Sequence, residues 1–288
     1  MELKKKCIAI IGTGQIGCSI GLGLQGKVGL IAGVDPVKTT IDRAIQQGMI
    51  DVELDLDSVI AYANIFVVAT PVDAAIPIIT RILDYSSTGS VVIDVGSTKA
   101  PVCKAVRNHF NRKAFVATHP MTGSSVKGPE GANSRLFTGT KTFICEENLS
   151  SDYAVETALQ LLKCLGSEVE FIEPLEHDRL VGLVSHLPHI LSYSMCNVVR
   201  SAGCDNDDWE SIASGGFDST SRLAKSPASM WLPILNQNKE NVLKYINLMI
   251  DELQKIEKHI DNDDATALVD FIDGAIDIRE QFETSRKR

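Results

Sequence analysis

Two rhythms of apolar residues divide the chain. In its first part, short apolar runs, several of them continuous, alternate with segments whose apolar residues recur every three to four positions. The short runs are Cys7–Ile11, Leu30–Asp35, Ile65–Ala69, Val91–Val95, Ala114–Thr118, Thr142–Cys145 and Glu168–Ile172. Runs of this length and continuity predict parallel strands covered on both faces. Between them, helices are expected over Ile16–Leu24, Val37–Gln47, Ser58–Ala63, Ala74–Leu83, Pro101–Phe110 and Ser151–Leu165. Pro101 suits the first turn of its helix, where the missing N–H has no intrahelical partner. Strand–helix alternation of this kind implies an α/β fold with a doubly wound sheet of Rossmann type.

After about residue 172 strand signals stop. Leu180, Val184, Leu187, Leu191, Met195 and Val198 form one helical stripe. Pro188 inside that stripe removes an N–H and frees the Val184 carbonyl, so a local kink is expected. A long helix is expected over Ser226–Ile260, with Val242, Ile246, Met249, Leu253 and Ile256 on one face. Asp261–Asp264 should form a turn that caps a final helix, Ala265–Phe282, and Arg286–Arg288 a frayed tail. The division is then 1–172, a sheet domain, and 173–288, an all-helical domain whose apolar faces call for a second copy. A homodimer is expected.

Composition narrows the function classes. The chain has 288 residues and a net charge of −9. That balance repels phosphate backbones and anionic lipids, so nucleic-acid and membrane partners are not expected, while a small anionic substrate needs only one or two local cations. Seven scattered cysteines without a CxxC pair read as buried small residues in a reducing compartment. No apolar run reaches the ~18 residues of a membrane span. The N-terminus runs directly into the first strand, leaving no room for a signal peptide. A cytoplasmic protein is expected.

Gly12-Thr-Gly14-Gln15-Ile16-Gly17 fits GxGxxG, ends the first strand and opens the first helix. In this context the glycines allow a tight turn, backbone approach to a pyrophosphate, and close helix–strand packing. Asp35 closes the second strand 18 residues after Gly17, where a carboxylate accepts from ribose hydroxyls and repels a 2′-phosphate. NAD is therefore expected over NADP, although Lys38 is close by. The alternative for these residues is a set of turn glycines and a helix cap. The Thr70-Pro71-Val72 turn is placed to face the same cofactor, and reads equally well as a plain strand-to-helix turn.

Three further features follow strand ends or the second domain's long helix. Asp94-Val-Gly96-Ser97-Thr-Lys99 follows one strand. His119-Pro-Met-Thr-Gly123-Ser124 follows the next, and a His there can take a proton from a hydroxyl while hydride leaves the same carbon. Taken singly, His119 could be a strand-end His bonded to backbone, and Ser97 a helix N-cap. Ser185-His186-Leu-Pro-His189 carries two His three apart on one face. No carboxylate stands at i+4 with them, so a metal is not expected.

With these residues assembled, the chain resembles the prephenate dehydrogenase (TyrA) family. The resemblance rests on GTGQIG with Asp35, DVGSTK (94–99), HPMTGS (119–124), HD followed by VSHLPH (177–189), and GGFDSTSRLAKSPASMW (215–231), in the family's order. It implies NAD-dependent oxidative decarboxylation of prephenate to 4-hydroxyphenylpyruvate in tyrosine biosynthesis, on a Rossmann-type domain with a helical dimerisation domain. His119 matches the catalytic His that accepts the ring hydroxyl proton, Ser97 the Ser that orients it, and His186 the cleft His of the helical domain. Arg222 matches the Arg that binds a substrate carboxylate, with Ser124 beside the substrate and Trp231 near the active site. Gly12, Gly14, Gln15, Ile16, Gly17, Asp35, Thr70 and Pro71 would line the cofactor. Asp218 and Ser125-Val126 depart from the family pattern near the substrate side chain and leave arogenate as an alternative substrate. No regulatory ACT domain or chorismate mutase segment is expected. The competing readings are a β-hydroxyacid or imine reductase, which would carry a Lys on the long helix, and a non-catalytic NAD-binding module.

Overall fold

The computed structural model describes residues 3–123, 126, 128–203 and 209–285. The chain forms two compact units, Met1–Lys239 and Glu240–Arg288. In the first, the apolar runs become strands: β1 (Cys7–Ile11), β2 (Leu30–Val34), β3 (Val52–Glu53), β4 (Ile65–Val68), β5 (Val91–Asp94), β6 (Phe115–Pro120), β7 (Lys141–Cys145) and β8 (Glu168–Phe171). Strand β3 was not expected, because two residues are too few to show a period. The sheet order is β3-β2-β1-β4-β5-β6-β7-β8, parallel throughout except for the antiparallel β6–β7 pair. This is the doubly wound architecture expected from the pattern.

Helices α1 (Gln15–Leu24), α2 (Lys38–Gln46), α3 (Leu56–Tyr62), α4 (Val72–Tyr85), α5 (Ala100–Val106) and α6 (Asp152–Leu165) connect the strands. Both sheet faces are covered. Ile8 and Ile10 pack with Ile20, Leu24, Leu161 and Leu165 on one face, while Ala9 and Ile11 pack with Val59, Ile79, Leu83 and Val106 on the other. That two-sided burial explains the unbroken apolar runs, each large side chain contributing about 1.5–3 kcal/mol. The order reverses between β1 and β4, so the carboxyl ends of these two strands bound the crevice where doubly wound sheets hold ligands.

The rest of this unit is helical: α7 (Pro174–Val181), a π-helical turn at Gly182–His186, α8 (Leu187–Ser201), α9 (Trp209–Ile212), α10 (Gly215–Ser221), a 3-10 turn at Arg222–Lys225 and α11 (Ala228–Gln237). The π-turn is the local form of the expected kink. Pro188 cannot donate to the Val184 carbonyl, and the Leu187 N–H bonds back to Gly182 O, one residue wider than in an α-helix.

The helix expected over Ser226–Ile260 is instead two, α11 and α12 (Lys239–Asp261), parted at Asn238 with φ −110° and ψ 27°. Periodicity does not register a one-residue break, and this one is held by tertiary bonds from the Asn238 side chain.

The second unit comprises most of α12 and α13 (Ala265–Ser285), with the Asp264 carboxylate accepting from the Ala267 N–H to cap α13. Leu248, Leu253, Ile260, Val269, Ile272, Ile276 and Phe282 are exposed here, and no α13 residue is buried. The expected tail, Arg286–Arg288, lies outside the described residues. No helix among the described residues is long and apolar enough to cross a membrane.

Candidate active site

The glycine-rich loop is shaped by contacts that exclude side chains. Gly12 has φ +95°, and a Cβ there would stand 2.5 Å from Ala69 O. This close approach joins the end of β1 to the Thr70 turn across the switch point. A Cβ on Gly17 would stand 2.0 Å from Gly12 O and 2.9 Å from Ile10 Cγ2, so Gly17 lets α1 lie against β1. Gly14 differs: nothing stands within 4 Å of the position its Cβ would take. Gly14 caps α1 with no side-chain bond, so the first N–H groups of α1 open onto this space.

Asp35 is tied to the same loop. Its Oδ2 accepts from Thr13 N at 2.8 Å and Thr13 Oγ1 at 3.1 Å, and its Oδ1 from Val37 N at 2.9 Å. Lys38 is engaged elsewhere, with Asp42 at 2.8 Å and with Glu53. Gln15 donates through Nε2 to Gly131 O at 2.9 Å, and Arg43 pairs with Glu130 at 2.5 Å, so the segment after β6 is fastened along α1 and α2. Ile16 is half-buried against the core. Pro71 caps α4 from an exposed position, and the buried Thr70 hydroxyl has no partner among the described residues. An open Gly14, an uncapped helix N-terminus and an unsatisfied hydroxyl at the switch point fit the phosphates and hydroxyls of a dinucleotide.

The first pair of histidines stands two strands further along. His119 sits near the end of β6, opposite Phe143 of β7. Its Nδ1 lies 2.8 Å from His177 Nε2, and His177 Nδ1 lies 2.8 Å from Asp178 Oδ1. Asp178 also receives Lys99 N at 2.7 Å and Ala100 N at 2.9 Å, which ties α7 to the start of α5. Lys99 is fully buried and bonds to the Asp94 carboxylate and to Thr118 O at 2.6 Å, beneath His119. Ser97, in the same turn, is half-buried.

His186, on the π-turn, is 2 % exposed, and its Nδ1 lies 3.1 Å from Asn238 Nδ2. Trp231 of α11 meets His186 edge-on with ring centroids 5.6 Å apart and covers His189 at 3.8 Å. His189 Nδ1 bonds to Ser185 O at 2.9 Å. Trp231 also packs on Val72, and its buried indole N–H has no partner among the described residues. Gln237 bridges Thr98 Oγ1 at 2.6 Å and Val72 O at 2.8 Å. Helix α11 thus joins the turn after β4, the turn after β5 and the second pair of histidines. Arg222 is exposed, and its charge acts on His189. Ser124 lies outside the described residues, as does Ser125.

Burial dominates the electrostatics. It holds His119 well below the ordinary 6.5, and the neighbouring His177, Lys99 and His186 push the same way. His186 falls to about 4, chiefly through burial, with Asp178 opposing. His189 is lowered as well, again first by burial. Near neutral pH these rings are uncharged.

His177 and Asp178 entered the sequence reading only as a motif, and Lys99, Gln237 and Asn238 not as site residues. The HD pair ahead of SHLPH and the DVGSTK motif were their local signals; the partners of His177, Gln237 and Asn238 across the fold lie 52 to 165 residues away.

The fold is that of a dinucleotide-binding α/β protein, with two pairs of histidines packed beyond the carboxyl ends of its strands. Residues 20–171 match the family model for the prephenate dehydrogenase nucleotide-binding domain, and residues 173–273 that for the prephenate dehydrogenase dimerization domain. Prephenate dehydrogenase of Bacillus subtilis is 30% identical over 100% of this chain and 79% of its own length, and that of Lactococcus lactis 28% over 96% and 78%. Among solved structures, prephenate dehydrogenase from Aquifex aeolicus, in complex with hydroxyphenyl propionate and NAD+, superposes with a TM-score of 0.89 at 26% identity. That match covers 98% of this chain and 100% of the other. The chain belongs to the prephenate dehydrogenase family and is an oxidoreductase of that family.

Proposed function

We propose that the protein catalyses the NAD+-dependent oxidative decarboxylation of prephenate. The observation that carries this reading is the neutral His119, near the carboxyl end of β6 and held through His177, in a sheet whose glycine-rich turn at β1 fits a dinucleotide. The fit of a family relative solved with NAD+ and a hydroxyphenyl acid supports it.

In this reading Gly12, Gly14, Gln15, Ile16 and Gly17 cradle the pyrophosphate, and Asp35 takes a ribose hydroxyl with the acceptor capacity left on Oδ1. Thr70 and Pro71 line the nicotinamide side. A carboxylate beside Thr13, with Lys38 neutralised by Asp42 and Glu53, disfavours a 2′-phosphate, so NAD is preferred to NADP. Bound NAD+ supplies a hydride acceptor for the ring carbon that bears the hydroxyl.

His119 takes the hydroxyl proton, with Ser97 orienting that hydroxyl. The developing carbonyl and the loss of CO2 leave an aromatic ring, and that aromaticity drives the reaction. His186 holds a polar group of the substrate within the cleft. Arg222 binds a carboxylate, for which a guanidinium is suited by its two parallel donors. Ser124 is assigned to the substrate by the same reading. The catalytic division falls at 172/173, the dinucleotide part before it and the substrate and dimerisation part after it. The protein acts as a cytoplasmic homodimer on a small molecule, without nucleic acid or membrane.

Purified protein offered prephenate or arogenate, each with NAD+ or NADP+, should reduce the nicotinamide with prephenate and NAD+. Preference for arogenate would move the substrate assignment, and no turnover of either would overturn the enzymatic reading. His119→Asn should bind prephenate with a near-normal dissociation constant and lose about 10²–10⁴ in kcat. Near-normal turnover in that variant would remove His119 as the base.

A further inference from the structure

Asp178 is a branch point behind both cleft histidines. Its two carboxylate oxygens receive backbone N–H groups, from Lys99 at 2.7 Å and Ala100 at 2.9 Å, so the side chain is an acceptor. His177 Nδ1, 2.8 Å from Oδ1, therefore carries a hydrogen. In the tautomer with its hydrogen on Nδ1, His177 Nε2 is bare; His119 Nδ1, 2.8 Å from that nitrogen, is then the donor, and the lone pair of His119 is on Nε2.

The other branch starts at the Asp178 backbone carbonyl, which accepts from Asn238 Nδ2 at 2.7 Å. This fixes the orientation of the amide, since turning it over would set Oδ1 against a carbonyl oxygen. The same Nδ2 lies 3.1 Å from His186 Nδ1, and an amide nitrogen only donates. His186 Nδ1 is therefore bare, and its hydrogen is on Nε2. All of these groups lie in the first compact unit. His177, Asp178, His186 and Asn238 are each at most 4 % exposed, so water does not compete for the bonds.

We propose that Asp178, acting through His177 and Asn238, sets the two cleft histidines in opposite tautomers: His119 with a bare Nε2 that accepts a proton, His186 with an Nε2–H that donates a hydrogen bond. His177 and Asn238 are then positioning residues of the reaction, and the break between α11 and α12 exists to bring the Asn238 amide to both partners. The inference deepens the prephenate reading and rests on it only for the catalytic use of the two nitrogens.

The tautomers can be read without substrate. The chain has six histidines, at 109, 119, 177, 186, 189 and 259. In the full-length protein labelled with 15N in the imidazoles, long-range 1H–15N spectra near pH 7.5 distinguish protonated from bare ring nitrogens, and single His→Gln variants assign them. The expected spectrum has His119 protonated on Nδ1 and His186 on Nε2. The same tautomer at both positions, or a hydrogen on His119 Nε2, would overturn the proposal.

Kinetics add a second readout. His177→Leu removes the acceptor and should lower kcat on the order of 100-fold, with KM changed far less. His177→Gln, whose side-chain oxygen still accepts from His119 Nδ1, should recover most of that loss. Equal losses in the two variants would overturn the role of His177. Asn238→Ala should leave His119 unchanged and give His186 a mixed tautomer; an unmixed Nε2–H there would overturn the role of Asn238. If a variant does not fold, the wild-type spectrum still decides. A failure of the tautomer assignment is thereby separate from a failure to oxidise prephenate.

Discussion

His186 carries a cost that its position makes measurable. Its folded value near 4 lies below the ordinary 6.5, mainly because burial disfavours the charged ring. Between these values the unfolded chain binds a proton that the folded chain does not, so stability rises with pH across that window and falls as pH drops through it. The full difference corresponds to about 3 kcal/mol. The melting temperature should therefore decline from pH 6.5 towards pH 4.5, and His186→Gln should flatten that slope. An identical slope in the variant would show that other groups carry the acid sensitivity. His119 and Ser97 were legible as polar residues at or just past strand ends and His186 as part of a two-His motif, whereas Arg222 came from the family resemblance alone. The pairing of His119 with His177 was not legible, because their side chains meet across 58 residues and only after β6 and α7 are packed.

Among the secondary-structure elements, the glycine-rich turn separates packing from binding. Gly17→Ala would place a methyl 2.0 Å from Gly12 O, a backbone atom that cannot yield without moving β1 or α1. Overpacking of this kind costs about 1–3 kcal/mol, so a lower melting temperature and loss of NAD binding are both expected. Gly14→Ala meets nothing within 4 Å and keeps ordinary helix-cap dihedrals, so it should leave the melting temperature unchanged while weakening NAD binding. Calorimetry on both variants checks the pair, and equal melting losses would contradict it. The strands and most helices were readable because their apolar period is local. The π-turn and the split of α11 from α12 were harder. A kink could be expected from Pro188, but its π form and the break at Asn238 depend on how carbonyls and side chains find partners in the packed helices.

For the whole molecule, the exposed apolar row on α13 is the feature that a lone chain leaves unexplained. Val269, Ile272, Ile276 and Phe282 are each about half exposed, the first three spaced as one helical face, and the family's dimerization domain matches the chain as far as residue 273, within α13. Rows of this kind mark association surfaces. Ile272→Asp with Ile276→Asp should convert the proposed dimer to a monomer in sedimentation measurements, and an unchanged mass would place the interface elsewhere.

What the chain determined by itself was the alternation of buried strands and covering helices, the glycine loop with its carboxylate, and the change to helix after residue 172. Each follows from a period or a spacing of a few residues, and such patterns act before distant parts meet. The tertiary structure decided which nitrogen of each histidine is free. A tautomer is set by a hydrogen-bond partner, and here those partners, His177 and Asn238, are separated by 52 residues or more from the ring they orient.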